Sequence, residues 1–380
     1  MPSAAPENRP SRVTLASVAA LILGRSTRTV GFLPPRGTIP WSACGPLGGS
    51  TRRASPPRQA VSAGMPAREI PVQRHQNLFL GPARSNGPDC ESQVEPLALV
   101  LLNTMANHND KQTLFHLWSE ASLRLCADGA ANRLYDVLGE ADRQQHVPDL
   151  IIGDLDSVRA EVAAYYEAQG AQVQRKPCQD HNDFEKCIME LQSRLGAVLG
   201  PAPAPAPGVT PGGGGAVGSS DAGEGQGRGP LPTIVALGAF GGRFDHEMAA
   251  ISVLHRYTPG LRGGGGRLIL MGGGNLAFLL EPGREHVIVP DPRFEGPTCG
   301  LLPIGGPCRS VTTRGLRWDL DGGELGFGAL VSSSNEVAAP EVRVTTDAPL
   351  VWTVELNTEA WVAALMAANG RGGHGGGGEA

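Results

Sequence analysis

Pro148-Asp149-Leu150-Ile151-Ile152-Gly153-Asp154-Leu155-Asp156-Ser157-Val158 joins a short apolar run to a glycine and two carboxylates one residue apart. The run Leu150–Ile152 reads as a strand buried on both faces, as in a parallel sheet covered by helices. In extended chain, residues i and i+2 point to the same side, so Asp154 and Asp156 are expected to converge. Two like charges held that close are costly unless a cation lies between them or one carboxyl keeps its proton. A hard divalent ion suits the pair, Mg²⁺ above all where phosphates supply further ligands. Ligands of open α/β sheets bind outside the carboxyl ends of the strands, where this pair falls. A solvated Asp-x-Asp turn has the same spacing, so the motif alone leaves both readings open.

The same grammar extends both ways. Leu97–Leu102 reads as the first buried strand, Gln112–Ser122 as a helix, and Leu123–Ala127 as a second strand closed by Asp128-Gly129-Ala130-Ala131-Asn132. Asp128 suits a helix N-cap, and equally a carboxylate beside Asp154 at a neighbouring strand end. Ser157 is expected to cap a helix running to Gln169, followed by a short strand at Gln172–Arg175. Asp183 then lies at the start of another helix, with Lys186 one turn on. Thr233–Leu237 is a further buried strand. It leads into Gly238-Ala239-Phe240-Gly241-Gly242-Arg243-Phe244-Asp245-His246, where glycines admit a phosphate, Arg243 offers a fork of donors and Asp245 adds a carboxylate. The loop is neither a Walker A motif nor a dinucleotide fingerprint. Leu268–Met271 and Leu276–Leu280 complete the α/β part. Alternation of strand and helix implies a parallel sheet with right-handed crossovers.

Beyond Gly283 the period changes to two. Val342, Val344 and Thr346 alternate with polar neighbours, and Leu350, Trp352, Val354 and Leu356 form a second alternating set. Asp321-Gly322-Gly323 is a hairpin signal between Leu316–Leu320, which carries Trp318, and Leu325–Phe327. Strands without helices between them predict an antiparallel β-sandwich. A tryptophan on such a strand commonly fills the core.

The chain has 380 residues, a net charge of −5, 53 glycines and 32 prolines. The expected organisation is an extension over 1–92, an α/β domain over 93–283, a sandwich over 284–366 and a Gly-rich tail over 367–380. The Gly/Pro-rich insertion at 200–232 cannot bury enough apolar surface to fold. No basic block marks the globular part, which argues against nucleic acid, and no apolar stretch is long enough to span a membrane. The seven cysteines are an odd number without C-x-x-C spacing, as expected of reduced thiols inside a cell. Up to Ala67 the only acidic residue is Glu7, among recurring arginines. That composition suits a mitochondrial transit peptide or a disordered extension with Met65 as a later start; the cytosol is the expected address.

Taken together, Ala127-Asp128-Gly129, Gly153-Asp154-Leu155-Asp156-Ser157, Asp180-His181-Asn182-Asp183-Phe184, Gly241-Gly242-Arg243-Phe244-Asp245-His246 and Val331-Ser332-Ser333-Ser334-Asn335 resemble the thiamine pyrophosphokinase family in its eukaryotic form. The resemblance runs from about Leu97 to Leu356. It implies a homodimer that transfers the pyrophosphoryl group of ATP to thiamine with Mg²⁺, giving thiamine diphosphate and AMP. It implies catalytic roles for Asp128, Asp154, Asp156, Asp183 and Asp245, with Asp128, Asp154 and Asp156 on the metal. Gly129, Asp183, Lys186, Arg243, Asp245 and His246 would hold ATP. Trp318, Ser332, Ser334 and Asn335 would hold thiamine, in a site shared across a two-fold interface. Asp183 or Asp154 would take the hydroxyl proton. Two positions depart from the pattern: Ala130 replaces a glycine and Asn182 a common threonine. Left-handed backbone at Ala130 would cost roughly 1–2 kcal/mol. That departure and the insertion leave room for a thiamine- or nucleotide-binding protein without turnover. Another nucleotide-dependent transferase on the same scaffold is a third reading.

Overall fold

The computed structural model describes residues 70–81, 96–104, 108–194, 233–261 and 266–371. The Arg-rich start with Met65, the insertion and the end of the Gly-rich tail lie outside them. The elements are β1 (Val72–His75), β2 (Leu97–Leu101), α1 (His108–Glu120), β3 (Ala121–Ala127), α2 (Ala130–Val137), α3 (Glu140–Gln145), β4 (Leu150–Gly153), α4 (Ala160–Ala168), β5 (Gln172–Arg175), α5 (Asp183–Arg194), β6 (Thr233–Leu237) and α6 (Phe244–Leu261). They continue as β7 (Arg267–Gly272), β8 (Asn275–Leu280), β9 (Glu285–Ile288), β10 (Glu295–Leu302), β11 (Cys308–Arg314), β12 (Gly323–Leu325), β13 (Ser332–Glu336), β14 (Val342–Thr346), β15 (Leu350–Leu356) and α7 (Thr358–Arg371).

Strands β2 to β7 form the expected parallel sheet, in the order β7-β6-β2-β3-β4-β5. Alternate residues of β2 face opposite cores. Leu99 and Leu101 meet Leu114 and Leu117 of α1, Leu134 of α2 and Tyr166 of α4, while Ala98 and Val100 meet Phe184 and Ile188 of α5 and Leu254 of α6. The chain leaves β2 towards β3 over one face and leaves β6 towards β7 over the other. The topological switch point therefore lies between the carboxyl ends of β2 and β6.

The strand-rich half is a sandwich, and one of its two sheets belongs to the α/β half as well. β8 pairs antiparallel with β15, and the ladder continues through β10 to β13, giving one ten-stranded sheet, β13-β10-β15-β8-β7-β6-β2-β3-β4-β5. A five-stranded sheet, β1-β9-β14-β11-β12, packs against it, with Val311, Val342 and Val344 meeting Phe278, Leu301 and Trp352.

Several boundaries differ from expectation. Residues Val72–Leu80, assigned to the extension, are folded: β1 pairs parallel with β9, and Leu80 is fully buried. Polar contacts and backbone pairing rather than apolar periodicity hold this segment. His75 bonds His286 at 2.9 Å, Asn77 donates to Glu295 at 2.7 Å, and the Phe79 carbonyl meets His116 at 2.6 Å. A C-terminal helix, α7, follows the sandwich and buries Trp361 edge-on against His116. Leu316–Leu320 is a turn, and the hairpin partner of β12 is β11. The Asp319 carboxylate folds that turn by accepting from Thr313 Oγ1 at 2.9 Å and from the amides of Gly315 and Leu316, both at 3.1 Å. The described cysteines, Cys126, Cys178, Cys187, Cys299 and Cys308, are free thiols. Among the described residues no helix is long and apolar enough to cross a membrane.

Candidate active site

Asp128, Asp154 and Asp183 form a triad, each offering an oxygen within 4.8 Å of the others. Asp128 ends β3 with φ of +41°, and its buried carboxylate accepts from the amides of Ser157 at 3.2 Å and Val158 at 3.0 Å. It thus fixes the loop after β4 rather than capping its own helix. Burial pushes its carboxyl up to about 6; the two amides pull down, and the charges of Asp183 and Asp156 push up further. Asp154 is held by the Gln179 amide at 2.9 Å, the main cause of a carboxyl lying below its ordinary value. Asp183 comes from the first turn of α5 and pairs with buried Lys186 at 2.9 Å. Asn182 caps that turn reciprocally: its Oδ1 accepts from Glu185 N, and Glu185 Oε2 accepts from Asn182 N. The Asn182 departure therefore keeps the capping function.

Gly153 is what lets the triad close. A Cβ there would lie 2.5 Å from Asp128 Cβ and 3.2 Å from Asp183 Oδ1. Three carboxylates this close suit a hard divalent cation, whose charge would offset both their repulsion and the burial of Asp128.

Asp156 stays outside this triad, although its side chain reaches that of Asp154. Leu155 is left-handed, with φ of +63°, so the chain turns after Asp154 and the strand alternation is lost. Asp156 is exposed; its amide donates to Asp154 Oδ1 at 3.3 Å, and its carboxylate accepts from Ser157 Oγ at 2.8 Å. Ser157 accordingly caps no helix, and α4 begins after Arg159. The concern over Ala130 also falls away. Gly129 is right-handed, and Ala130 is the buried first residue of α2. Gly129 keeps its place for another reason: a Cβ would lie 2.8 Å from Asn103 Nδ2.

The Gly-rich loop after β6 lies at the switch point. A Cβ on Gly242 would meet Thr104 Cγ2 at 2.4 Å, so the loops leaving β2 and β6 touch. Arg243 and Asp245 are exposed and paired with each other, with Nη2 and Oδ2 2.5 Å apart, and His246 is exposed in the first turn of α6. Sequence reasoning missed Gln179, Asn103, Asn132 and Glu247. Asn132 brackets Ser157 and Arg159 with its side-chain amide, and Glu247 accepts from the loop amides. Gln179 and Asn103 border quoted motifs, and no periodicity marks them.

Trp318, Ser332 and Asn335 are brought together in the strand-rich half. Trp318 is on the Asp319 turn and 55 % exposed, so it does not fill the core. Buried Asn335 clamps its backbone, accepting from Trp318 N at 3.2 Å and donating to Trp318 O at 3.0 Å and Ser332 Oγ at 3.1 Å. Arg317 already stacks a cation 4.8 Å from the indole centroid. Ser334 is exposed and left-handed, with φ of +56°.

Known proteins match both halves. Residues 114–262 match the family described as thiamin pyrophosphokinase, catalytic domain, and residues 285–351 match thiamin pyrophosphokinase, vitamin B1 binding domain. Thiamine pyrophosphokinase 1 of Oryza sativa subsp. japonica is 35% identical over 299 residues, covering 76% of this chain and 98% of its own. Thiamine pyrophosphokinase 1 of Arabidopsis thaliana is 36% identical over 294 residues, covering 75% and 94%. The crystal structure of yeast thiamin pyrophosphokinase has the same fold, with a TM-score of 0.61 at 24% identity over 77% of this chain and 93% of that one. With the triad in the first matched segment and the Trp318 cluster in the second, the chain belongs to the thiamin pyrophosphokinase family.

Proposed function

We propose that the protein transfers the pyrophosphoryl group of ATP to the hydroxyl of thiamine, giving thiamine diphosphate and AMP. The observation that carries this reading is the triad Asp128, Asp154 and Asp183, two at strand ends and one at the start of α5. Relatives named thiamine pyrophosphokinase favour turnover over binding alone. The hydroxyl oxygen attacks the β-phosphorus of ATP. The bond from that phosphorus to the α–β bridging oxygen breaks, AMP leaves with the electron pair, and the hydroxyl proton passes to a triad carboxylate. Mg²⁺ held by Asp128, Asp154 and Asp183 would neutralise phosphate charge. The chain's own work is positioning: Lys186 fixes Asp183, Gln179 fixes Asp154, and the Ser157 and Val158 amides fix Asp128. Arg243 supplies donors to phosphate oxygens once released from Asp245.

Thiamine recognition falls to Trp318, Ser332 and Asn335, in a site shared by two chains. The strand order supports sharing. In β13-β10-β15-β8-β7-β6-β2-β3, seven steps separate the strand of Asn335 from that of Asp128. At about 4.8 Å a step that is on the order of 30 Å, beyond the reach of one thiamine molecule. The proposal also places the enzyme in the cytosol, which import of a fluorescent fusion of residues 1–65 into mitochondria would overturn.

The test is turnover. Incubation with ATP, Mg²⁺ and thiamine is expected to yield AMP and thiamine diphosphate in equal amounts. Folded protein that forms neither contradicts the reading, and preference for another hydroxyl acceptor would make it a different transferase.

A further inference from the structure

The Gly-rich loop after β6 already carries an anion. Gly241 N and Gly242 N both donate to Glu247 Oε1, at 2.8 and 3.2 Å. The neighbouring cation, Arg243, is turned to Asp245 instead. Contacts other than Glu247 also hold the loop. The amides of Gly238 and Ala239 bond the Met271 carbonyl at 2.8 and 2.9 Å, and Gly242 is wedged against Thr104. What Glu247 does is occupy two donors of the kind that phosphate oxygens take at a strand-to-helix loop.

We propose that Glu247 is an intramolecular stand-in for a nucleotide phosphate: it holds these amides while the loop is empty and is displaced when a triphosphate enters. The inference rests on the nucleotide reading above and adds to it a residue that sets affinity. The two amide hydrogens cannot serve carboxylate and phosphate at once, and a carboxylate left beside a polyphosphate would repel it. Opening the Glu247 contact therefore lowers the apparent affinity in proportion to the fraction of open loop. Glu247 touches no reacting atom in this scheme and acts through the loop.

Calorimetry of a non-hydrolysable ATP analogue with Mg²⁺ and without thiamine, on full-length wild type, Glu247→Gln and Glu247→Ala, tests it. Both variants are expected to bind about three- to tenfold tighter, with the KM for ATP falling further than kcat changes. If Glu247→Ala is less stable, Glu247→Gln, which keeps length and volume, carries the test alone. Unchanged affinity in both variants would overturn the proposal. So would weaker binding by Glu247→Ala with wild-type binding by Glu247→Gln, because Glu247 would then only shape the loop. Folded wild type that binds no analogue would remove the nucleotide reading itself, a result distinct from either.

Discussion

Gly153 and Asp128 face each other at the ends of adjacent parallel strands so closely that the first leaves no room for a side chain. A methyl group at Gly153 would drive Asp128 away from Asp154 and Asp183. Gly153→Ala is expected to lower turnover at least ~100-fold, with overpacking costing about 1–3 kcal/mol of stability. AMP formation and urea unfolding measure the two effects separately. Near-wild-type turnover would remove the triad from the reaction.

Substitutions by asparagine should separate the triad from its neighbour. Asp154→Asn and Asp183→Asn are each expected to cost at least ~100-fold in turnover, and Asp156→Asn no more than about tenfold. Chelation of divalent ions should abolish activity in the wild type, with recovery on adding Mg²⁺. An equal loss in Asp156→Asn would bring Asp156 into the metal site beside Asp154.

The buried His75–His286 pair predicts acid sensitivity. Burial is the chief cause that lowers His286 from 6.5 to about 4, and it lowers His75 too. Both are neutral when folded, so below pH 6.5 the unfolded chain binds more protons and stability falls as pH drops. His286 alone should remove about 2 kcal/mol between pH 7.5 and 5, with little change above pH 7.5. Urea midpoints at those two pH values would reveal it, and His286→Gln should flatten the slope. An equal slope in that variant would place the sensitivity elsewhere.

Removing residues 1–66 is expected to leave activity within a few-fold, because their Arg-, Pro- and Gly-rich composition offers little apolar surface for a core. Removing 1–80 takes away β1 and Leu80, whose burial alone contributes about 1.5–3 kcal/mol, and should give a lower melting temperature or insoluble protein. Identical melting of the two truncated forms would mean that β1 adds nothing.

A shared site has a genetic signature. Trp318→Ala should weaken thiamine binding, where cation–π attraction contributes about 0.5–2 kcal/mol, and barely change ATP binding. Verified mixed dimers of Trp318→Ala with Asp154→Asn should recover part of the activity that each variant lacks. Mixed dimers without recovery would confine each site to one chain.

The buried strands were legible because Leu97–Leu101, Leu150–Ile152 and Thr233–Leu237 are apolar runs bounded by glycine or polar residues. The alternation of Leu350–Leu356 was equally plain, with Leu350, Trp352 and Val354 facing one core and Val351 the other. Asp128, Asp154 and Asp183 could be read from their places at strand and helix ends. Backbone handedness is not legible: nothing in Leu155 announces a positive φ, so Asp156 reads as a metal ligand beside Asp128 and Asp154 while the structure gathers Asp183 instead. The Val72–Leu80 segment escapes because the polar side chains of His75 and Asn77 and the backbone carbonyl of Phe79 hold it rather than an apolar rhythm. Trp318 reads as a strand residue because Asp321-Gly322-Gly323 signals a hairpin after Leu316–Leu320, whereas Asp319 gathers amides at short range and bends the chain.

The ladder between β8 and β15 has a mechanical meaning. A clamshell enzyme swings two bodies about a hinge that few bonds cross, closing over its substrates. Here the backbone pairs from Asn275 with Glu355 to Leu280 with Leu350 span the junction, and such a swing would tear them apart. The two halves joined by this ladder cannot swing as separate bodies, and a break in β15 would cost the fold rather than a motion.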